Sequence, residues 1–334
     1  DTPPSTFTTS GASSGYDPLD DPLMANIVIP DDEPAVMSPS MAFRNLAGQN
    51  VRTYFTRPSG PAELAERIGD SDVVINIRST SRFTADVLEE CSALRLISIW
   101  GTGTDNVDLE AARRQGIRVT NTPGVSAVAV AEHTLALIMA VAKRTVQVDQ
   151  QVRQGKWPRA MVTQLRGKTL GLIGTGAIGR EVARLGAGIG MRVIAWTFHP
   201  RGDVAEWVAF EEVFRRSDVL SVHVRLSAET SGVIRREHLE LMKPGAILIN
   251  TARGGIVNEA DLVQALLTNG IPGAGVDVFD TDPLPPESPL FALPNVVLTP
   301  HAAGITPEAT EAGLALAIEN VFAFLAGEPT NVVI

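Results

Sequence analysis

His301, Arg253 and an acid-rich turn hold the groups of this 334-residue chain that could move a proton or grip a carboxylate. His301 follows the apolar run Val296 to Thr299 and precedes the small-residue loop Ala302-Ala303-Gly304. Ligands of open α/β sheets collect outside the carboxyl ends of the strands. Imidazole titrates near neutrality, so His301 is the candidate acid/base. Arg253 ends the strand Ala246 to Asn250, inside Asn250-Thr251-Ala252-Arg253-Gly254-Gly255. A guanidinium there can pair bidentately with a carboxylate and polarise a neighbouring keto group. Asp280 and Asp282 come after the strand Ala274 to Val278, and either could supply the carboxylate that holds the histidine. The other four histidines read differently. His133 lies within an apolar helix as a structural residue, and His238 belongs to a solvated helix face. His199 and His223 fall near loops expected on the cofactor side.

These groups need a scaffold, and the run Lys168 to Arg180 supplies its centre. A short apolar strand breaks into Gly174-Thr175-Gly176-Ala177-Ile178-Gly179 and a helix begins. In that context G-x-G-x-x-G is a dinucleotide fingerprint. Gly174 makes the turn, Gly176 admits a pyrophosphate, and Gly179 brings helix and strand together. Ala177 and Ile178 open the helix, whose N-terminus attracts the phosphates. NAD sites place an acid about 20 residues further on to bind the ribose, but here Thr197 holds that place. Thr197, His199 and Arg201 could instead donate to a 2′-phosphate. The cofactor is therefore NAD or NADP, with the donors leaning to NADP.

Strand and helix patterns alternate from Met24 to the C-terminus, the mark of parallel α/β layers. Residues 1–23 are rich in Ser, Thr, Pro, Gly and Asp and read as a disordered extension. Residues 24–121 form a first parallel-sheet domain. Asn121-Thr122-Pro123-Gly124 interrupts the rhythm, a long apolar helix spans Val128 to Lys143, and a polar bridge runs from Gln147 to Arg166. Residues 122–304 make the doubly wound cofactor domain. Thr306-Pro307-Glu308 caps a last helix that crosses back, so 305–334 rejoin the first domain.

Composition narrows the function. A net charge of −10 disfavours nucleic acid and anionic membrane as partners. The single cysteine, Cys91, rules out an intrachain disulfide and a multi-cysteine metal site, and no metal is expected. Neither a membrane span nor a signal-peptide pattern is present, so the expected compartment is the cytoplasm.

Several segments in one order resemble the D-2-hydroxyacid dehydrogenase family. They are the fingerprint, Asn250-Thr251-Ala252-Arg253-Gly254, Gly275-Val276-Asp277-Val278-Phe279 and Thr299-Pro300-His301. The resemblance implies a Rossmann domain inserted in a flavodoxin-like substrate domain, D-stereochemistry, and hydride transfer between NAD(P)H and C2 of a small 2-keto or 2-hydroxy acid. It makes Arg253 the substrate-binding arginine and His301 the proton donor. It puts Asp277 near the nicotinamide carboxamide, with His223, Thr251 and Ala252 among the cofactor contacts. The family's supporting glutamate falls on Asp282, one methylene shorter. Gly101-Thr102-Gly103-Thr104-Asp105 is similar to the loop whose amides take the substrate carboxylate, and Trp100 beside it is a candidate pocket wall. Arg78-Ser79-Thr80 is similar to a second substrate segment of phosphoglycerate dehydrogenases. Thr80 replaces an arginine there, and no regulatory domain follows Ile334, which together argue against a phosphorylated substrate. Arg225 departs from the family's proline. Homodimerisation through the Val128 to Lys143 helix is expected. The alternatives are a formate or phosphite dehydrogenase and a non-catalytic, corepressor-like nicotinamide sensor.

Overall fold

The computed structural model describes residues 24–334, and the extension expected over 1–23 lies outside them. The first sheet contains β1 (Asn26–Ile29), β2 (Asn50–Thr53), β3 (Val73–Asn76), β4 (Leu96–Ile99) and β5 (Arg118–Thr120), all parallel, in the order β2-β1-β3-β4-β5. This is the flavodoxin-like order. Its central strands β3 and β4 are buried throughout, because α1 (Pro61–Ile68), α2 (Ala85–Glu90) and α3 (Leu109–Arg114) are packed with them into the same layered unit.

From Asn121 the chain enters α4 (Ala127–Lys143) and α5 (Thr145–Arg153), then builds the second sheet. Its strands are β6 (Thr169–Ile173), β7 (Arg192–Trp196), β8 (Glu206–Trp207), β9 (Val219–Val222), β10 (Ile247–Asn250), β11 (Ala274–Val276) and β12 (Val296–Leu298). They run parallel in the order β12-β11-β10-β9-β6-β7-β8. Read outward from β6, that is the Rossmann order with one added strand, and the order reverses between β6 and β9. The helices of this unit are α6 (Ala177–Gly188), α7 (Phe210–Arg216), α8 (Arg236–Leu239) and α9 (Glu259–Leu267). In α9, the Asn258 side chain accepts from the Asp261 amide, as the cap pattern predicts.

The last helix, α10 (Pro307–Leu325), opens on the Thr306 cap with Pro307 in its first turn. Its Leu314, Ala317, Ile318 and Val321 enter the same core as Ile27, Ile29 and Val73, so it packs on the first sheet. Val333 then bonds to Val119 at 2.8 Å. The C-terminal stretch and β5 thus finish one unit.

Some expectations change. The first helical segment after β1 is a 3-10 turn over Ala42–Leu46 rather than an α-helix. The strand expected to reach Val278 stops at Val276, because Asp277 is drawn into a turn. The polar bridge contains α5, which buries no residue and so leaves no apolar stripe to read. His238 is half-buried, with one face of its ring 5.2 Å from Phe210 and 5.3 Å from Phe214, while Arg236 and Glu237 beside it are exposed. The apolar length of α4 is spent inside its own subunit, nine of its residues being buried. No helix of the described residues is long and apolar enough to cross a membrane.

Candidate active site

β6 ends at the glycine turn, and Gly176 caps α6. Gly174 sits at φ +99°, where a Cβ would lie 2.7 Å from the His223 carbonyl at the end of β9. Only a glycine lets the two strand ends close at the point where the strand order reverses. A Cβ on Gly179 would meet the Gly174 carbonyl, whereas nothing stands within 4 Å of one on Gly176. The open face at Gly176 is continuous with the unpaired first-turn amides of Ala177 and Ile178, where the helix dipole favours an anion. These residues fit the pyrophosphate of a dinucleotide.

His223 borders the same crevice. Its Nε2 lies 2.8 Å from Ser221 Oγ, and its Nδ1 is shut off from solvent with no partner among the described residues. Burial pushes its pKa down to about 3, so the ring is neutral. After β7, the side chains of Thr197, His199 and Arg201 make no hydrogen bond or ion pair among the described residues.

The adjacent ends of β10, β11 and β12 carry the acid/base and carboxylate groups. Buried Asn250 accepts from the Ala252 amide at 3.1 Å and donates to the Arg253 carbonyl at 3.0 Å, which sets the arginine loop. Arg253 Nη1 donates to the Ala252 carbonyl at 2.9 Å, and Nε donates to Asp105 Oδ1 at 3.1 Å. Asp105 belongs to the loop after β4, so this contact joins the two sheets. The guanidinium lies where a Gly103 side chain would stand, which accounts for the glycine. That loop is pinned from behind: Gly101 N donates to Thr122 Oγ1 at 2.7 Å, and Asn121 Nδ2 donates to the Thr102 carbonyl at 2.9 Å. The amides of Thr102 and Gly103 donate to nothing among the described residues. A guanidinium beside two unused amides makes a carboxylate site.

His301 follows β12 with φ +53°, and its Nδ1 lies 2.7 Å from Asp282 Oδ2. A carboxylate only accepts, so Nδ1 carries the proton and Nε2 is left for substrate. The shorter acid at 282 therefore reaches the ring. Asp280, the other candidate, makes no hydrogen bond or ion pair to His301, and its backbone amide donates to Glu259 Oε2 at 3.3 Å. Burial raises the pKa of both Asp280 and Glu259; on Glu259 the hydrogen bond from the Asp280 amide opposes this, and the charges of Asp280 and Asp282 add to it.

Three expected site residues have partners within the fold. Asp277 is fully buried and accepts from Thr299 Oγ1 (2.6 Å), Ala302 N (2.9 Å) and Ala303 N (2.9 Å), so its carboxylate holds the histidine turn. The Trp100 indole packs against Gly313 of α10 and serves the core of the first sheet. Arg78 bonds the Pro34 carbonyl, and burial lowers its pKa against the pull of Asp31 and Asp32. It shares no contact with Arg253 or His301. Sequence reasoning gave no role to Asp105, although a charge directly after a glycine loop was a signal. Thr134, which lies 2.9 Å from Thr251, was also passed over, and a hydroxyl on the buried face of an apolar helix could have pointed to it.

Sheet order and glycine turn together define the Rossmann dinucleotide-binding class. Residues 135–303 match the family model described as D-isomer specific 2-hydroxyacid dehydrogenase, NAD binding domain. The chain is 40% identical over 288 residues to a glyoxylate reductase of Korarchaeum cryptofilum, covering 83% of this chain and 86% of that protein. It is 39% identical over 267 residues to a hydroxypyruvate reductase of Thermotoga maritima, covering 78% and 87%. Among solved structures, an acyclic imino acid reductase in complex with NADPH and D-Arg superposes with a TM-score of 0.85 at 32% identity, over 92% of this chain and 99% of that one. The chain belongs to the D-2-hydroxyacid dehydrogenase family of NAD(P)-dependent oxidoreductases.

Proposed function

We propose that the enzyme reduces a small 2-keto acid, with glyoxylate and hydroxypyruvate the first candidates, and that residues 24–121 with 305–334 bind substrate while 122–304 bind cofactor. The observation that carries this reading is the pairing of the His301–Asp282 dyad with an Arg253 guanidinium set over the free amides of the 101–105 loop. The bound nicotinamide supplies the hydride for C2. Arg253 and the Thr102 and Gly103 amides hold the carboxylate, which fixes the keto carbon in place. His301, as the imidazolium with Nδ1–H held by Asp282, gives the proton on Nε2 to the forming alkoxide and is left neutral with Nδ1–H in place. Charge that develops on the oxygen thus meets donors already in position.

NADP is the preferred cofactor in this reading. The unengaged donors Thr197, His199 and Arg201 support it, as does the NADPH in a solved relative. The enzyme works in the cytoplasm as a homodimer. Its contact surface centres on α5 and the segment after it, where Val152, Trp157, Met161 and Val162 are exposed.

Oxidation of NADPH and NADH, followed with glyoxylate, hydroxypyruvate, pyruvate and larger 2-keto acids, tests the proposal. A kcat/KM that falls by about 30-fold or more in Arg253→Ala is expected, with higher kcat/KM for NADPH than for NADH in the wild type. Silence across the panel while cofactor still binds would favour the sensor reading.

A further inference from the structure

We infer that His133 is a positioning residue for the proton-transfer step, acting on His301 through Thr299 and Asp277; the inference rests on His301 being the acid, as proposed above. Thr299 follows β12, and its hydroxyl gives its single proton to Asp277 Oδ1 at 2.6 Å. His133 Nε2 lies 3.0 Å from that same Thr299 oxygen. With the hydroxyl proton already committed, the imidazole can only donate, so His133 carries its proton on Nε2. It also lies 3.6 Å from Asp277 Oδ1.

The Asp277 carboxylate takes the amides of Ala302 and Ala303, the two residues after His301. The His301 amide itself turns back to the Thr299 carbonyl at 3.1 Å. His301 is thereby held at φ +53°, a left-handed conformation disfavoured for a non-glycine residue. Hydrogen bonds to an ionised acceptor are stronger than neutral ones, so the bonds to Asp277 hold the turn in that conformation. His133 adds a further donor to half-buried Thr299, whose partner Asp277 is fully buried. Gly304, at the end of the turn, approaches Ser126 and Val130 at the start of α4.

The neighbouring residue on α4 serves the other loop. Thr134 Oγ1 donates to the Val130 carbonyl at 2.7 Å, so at 2.9 Å it must accept from Thr251 Oγ1, two residues before Arg253. Successive residues of one helix thus register the proton-donating turn and the carboxylate-binding loop. Disturbing His133 should act on the chemical step, and disturbing Thr134 on substrate grip. A misplacement of about 1 Å at a reacting group can cost about a hundredfold in rate.

The test compares His133→Leu, His133→Gln and Thr134→Val in the full chain. It reads kcat and KM separately, the thermal midpoint, and the low-field proton NMR signal of His301 Nδ1–H, identified by its loss in His301→Gln. In His133→Leu, kcat should fall roughly ten- to a hundredfold, with KM close to wild type and the Nδ1–H signal broadened or lost. His133→Gln, which keeps an N–H donor, should recover most of both. Thr134→Val should raise KM more than it lowers kcat. Wild-type kcat and an intact signal in His133→Leu would overturn the inference, and so would a loss that follows the thermal midpoint and is not recovered by glutamine. If the wild-type enzyme reduces no 2-keto acid, the proposed reaction fails, and the NMR comparison still decides whether His133 holds the His301 turn.

Discussion

Asp282 decides how His301 works, because the 2.7 Å contact fixes which ring nitrogen holds the proton and leaves the other for chemistry. Asp282→Asn keeps the size but can present an N–H to Nδ1, which favours the wrong tautomer. Its kcat should fall by about 10² to 10⁴ while cofactor affinity is retained, measured by steady-state kinetics and by nicotinamide fluorescence. Asp282→Glu restores the charge with an added methylene in a turn already closed around aspartate, so its activity should lie between those of wild type and Asp282→Asn. Equal activity of all three would mean that the dyad is not catalytic. Arg253 gives a second test. Its Nε is taken by Asp105 and its Nη1 by the Ala252 carbonyl, so the fork is aimed before any substrate arrives. Truncating one partner of a hydrogen-bonded charge pair costs about 2–5 kcal/mol. Arg253→Ala should therefore lower kcat/KM by about 30-fold or more, since 1.4 kcal/mol is tenfold. Arg253→Lys should recover little, because a point charge cannot reproduce the fork.

Elements were legible wherever local chemistry alone sets them. The Asn258 and Thr306 caps, the strand–turn–helix at Gly174 and the positions of Arg253 and His301 after their strands all depend on residues close in sequence. What escaped depends on a partner far along the chain. Helix periodicity put His133 on an apolar helix, but Thr299 opposite it is 166 residues away. Asp105 meets Arg253 only because two sheets face each other, 148 residues apart in sequence. Asp277 was visible as part of a motif, yet its carboxylate is consumed by backbone amides that no motif displays. An element-scale prediction concerns α1, where Glu63 accepts from the Ser59 amide and hydroxyl and pairs with Arg67. Chiefly through those Ser59 bonds, its pKa falls from 4.5 to about 2. A depressed acid contributes stability that is full above the unfolded value and is lost as pH falls through the folded one. Glu63→Gln should thus melt below wild type at neutral pH, and the gap should close as pH drops from 4.5 towards 2. A gap that does not change with pH would assign the effect to packing instead.

At the scale of the whole molecule, the Arg253–Asp105 ion pair joins the loop after β4 of the first sheet to the loop after β10 of the second. The apolar surface lies elsewhere. α5 buries no residue, and beyond it Trp157 is 78% and Met161 95% exposed. Large apolar side chains clustered on one exposed segment mark an interaction surface, and an aromatic residue such as Trp157 can bury about 150–250 Å². α4 turns most of its apolar side chains inward, covering β10 to β12 and α6 through residues such as Leu137 and Ile138. The prediction is a particle of twice the 35.5 kDa chain mass in light scattering. The double variant Trp157→Glu, Met161→Glu should halve that mass while the glycine turn still binds NADPH, because the segment lies outside the second sheet. Val128→Glu, at an exposed position of α4, should leave the dimer intact. A wild-type chain that runs as a monomer, or a double variant that stays paired, would show that the exposed segment is not the contact surface.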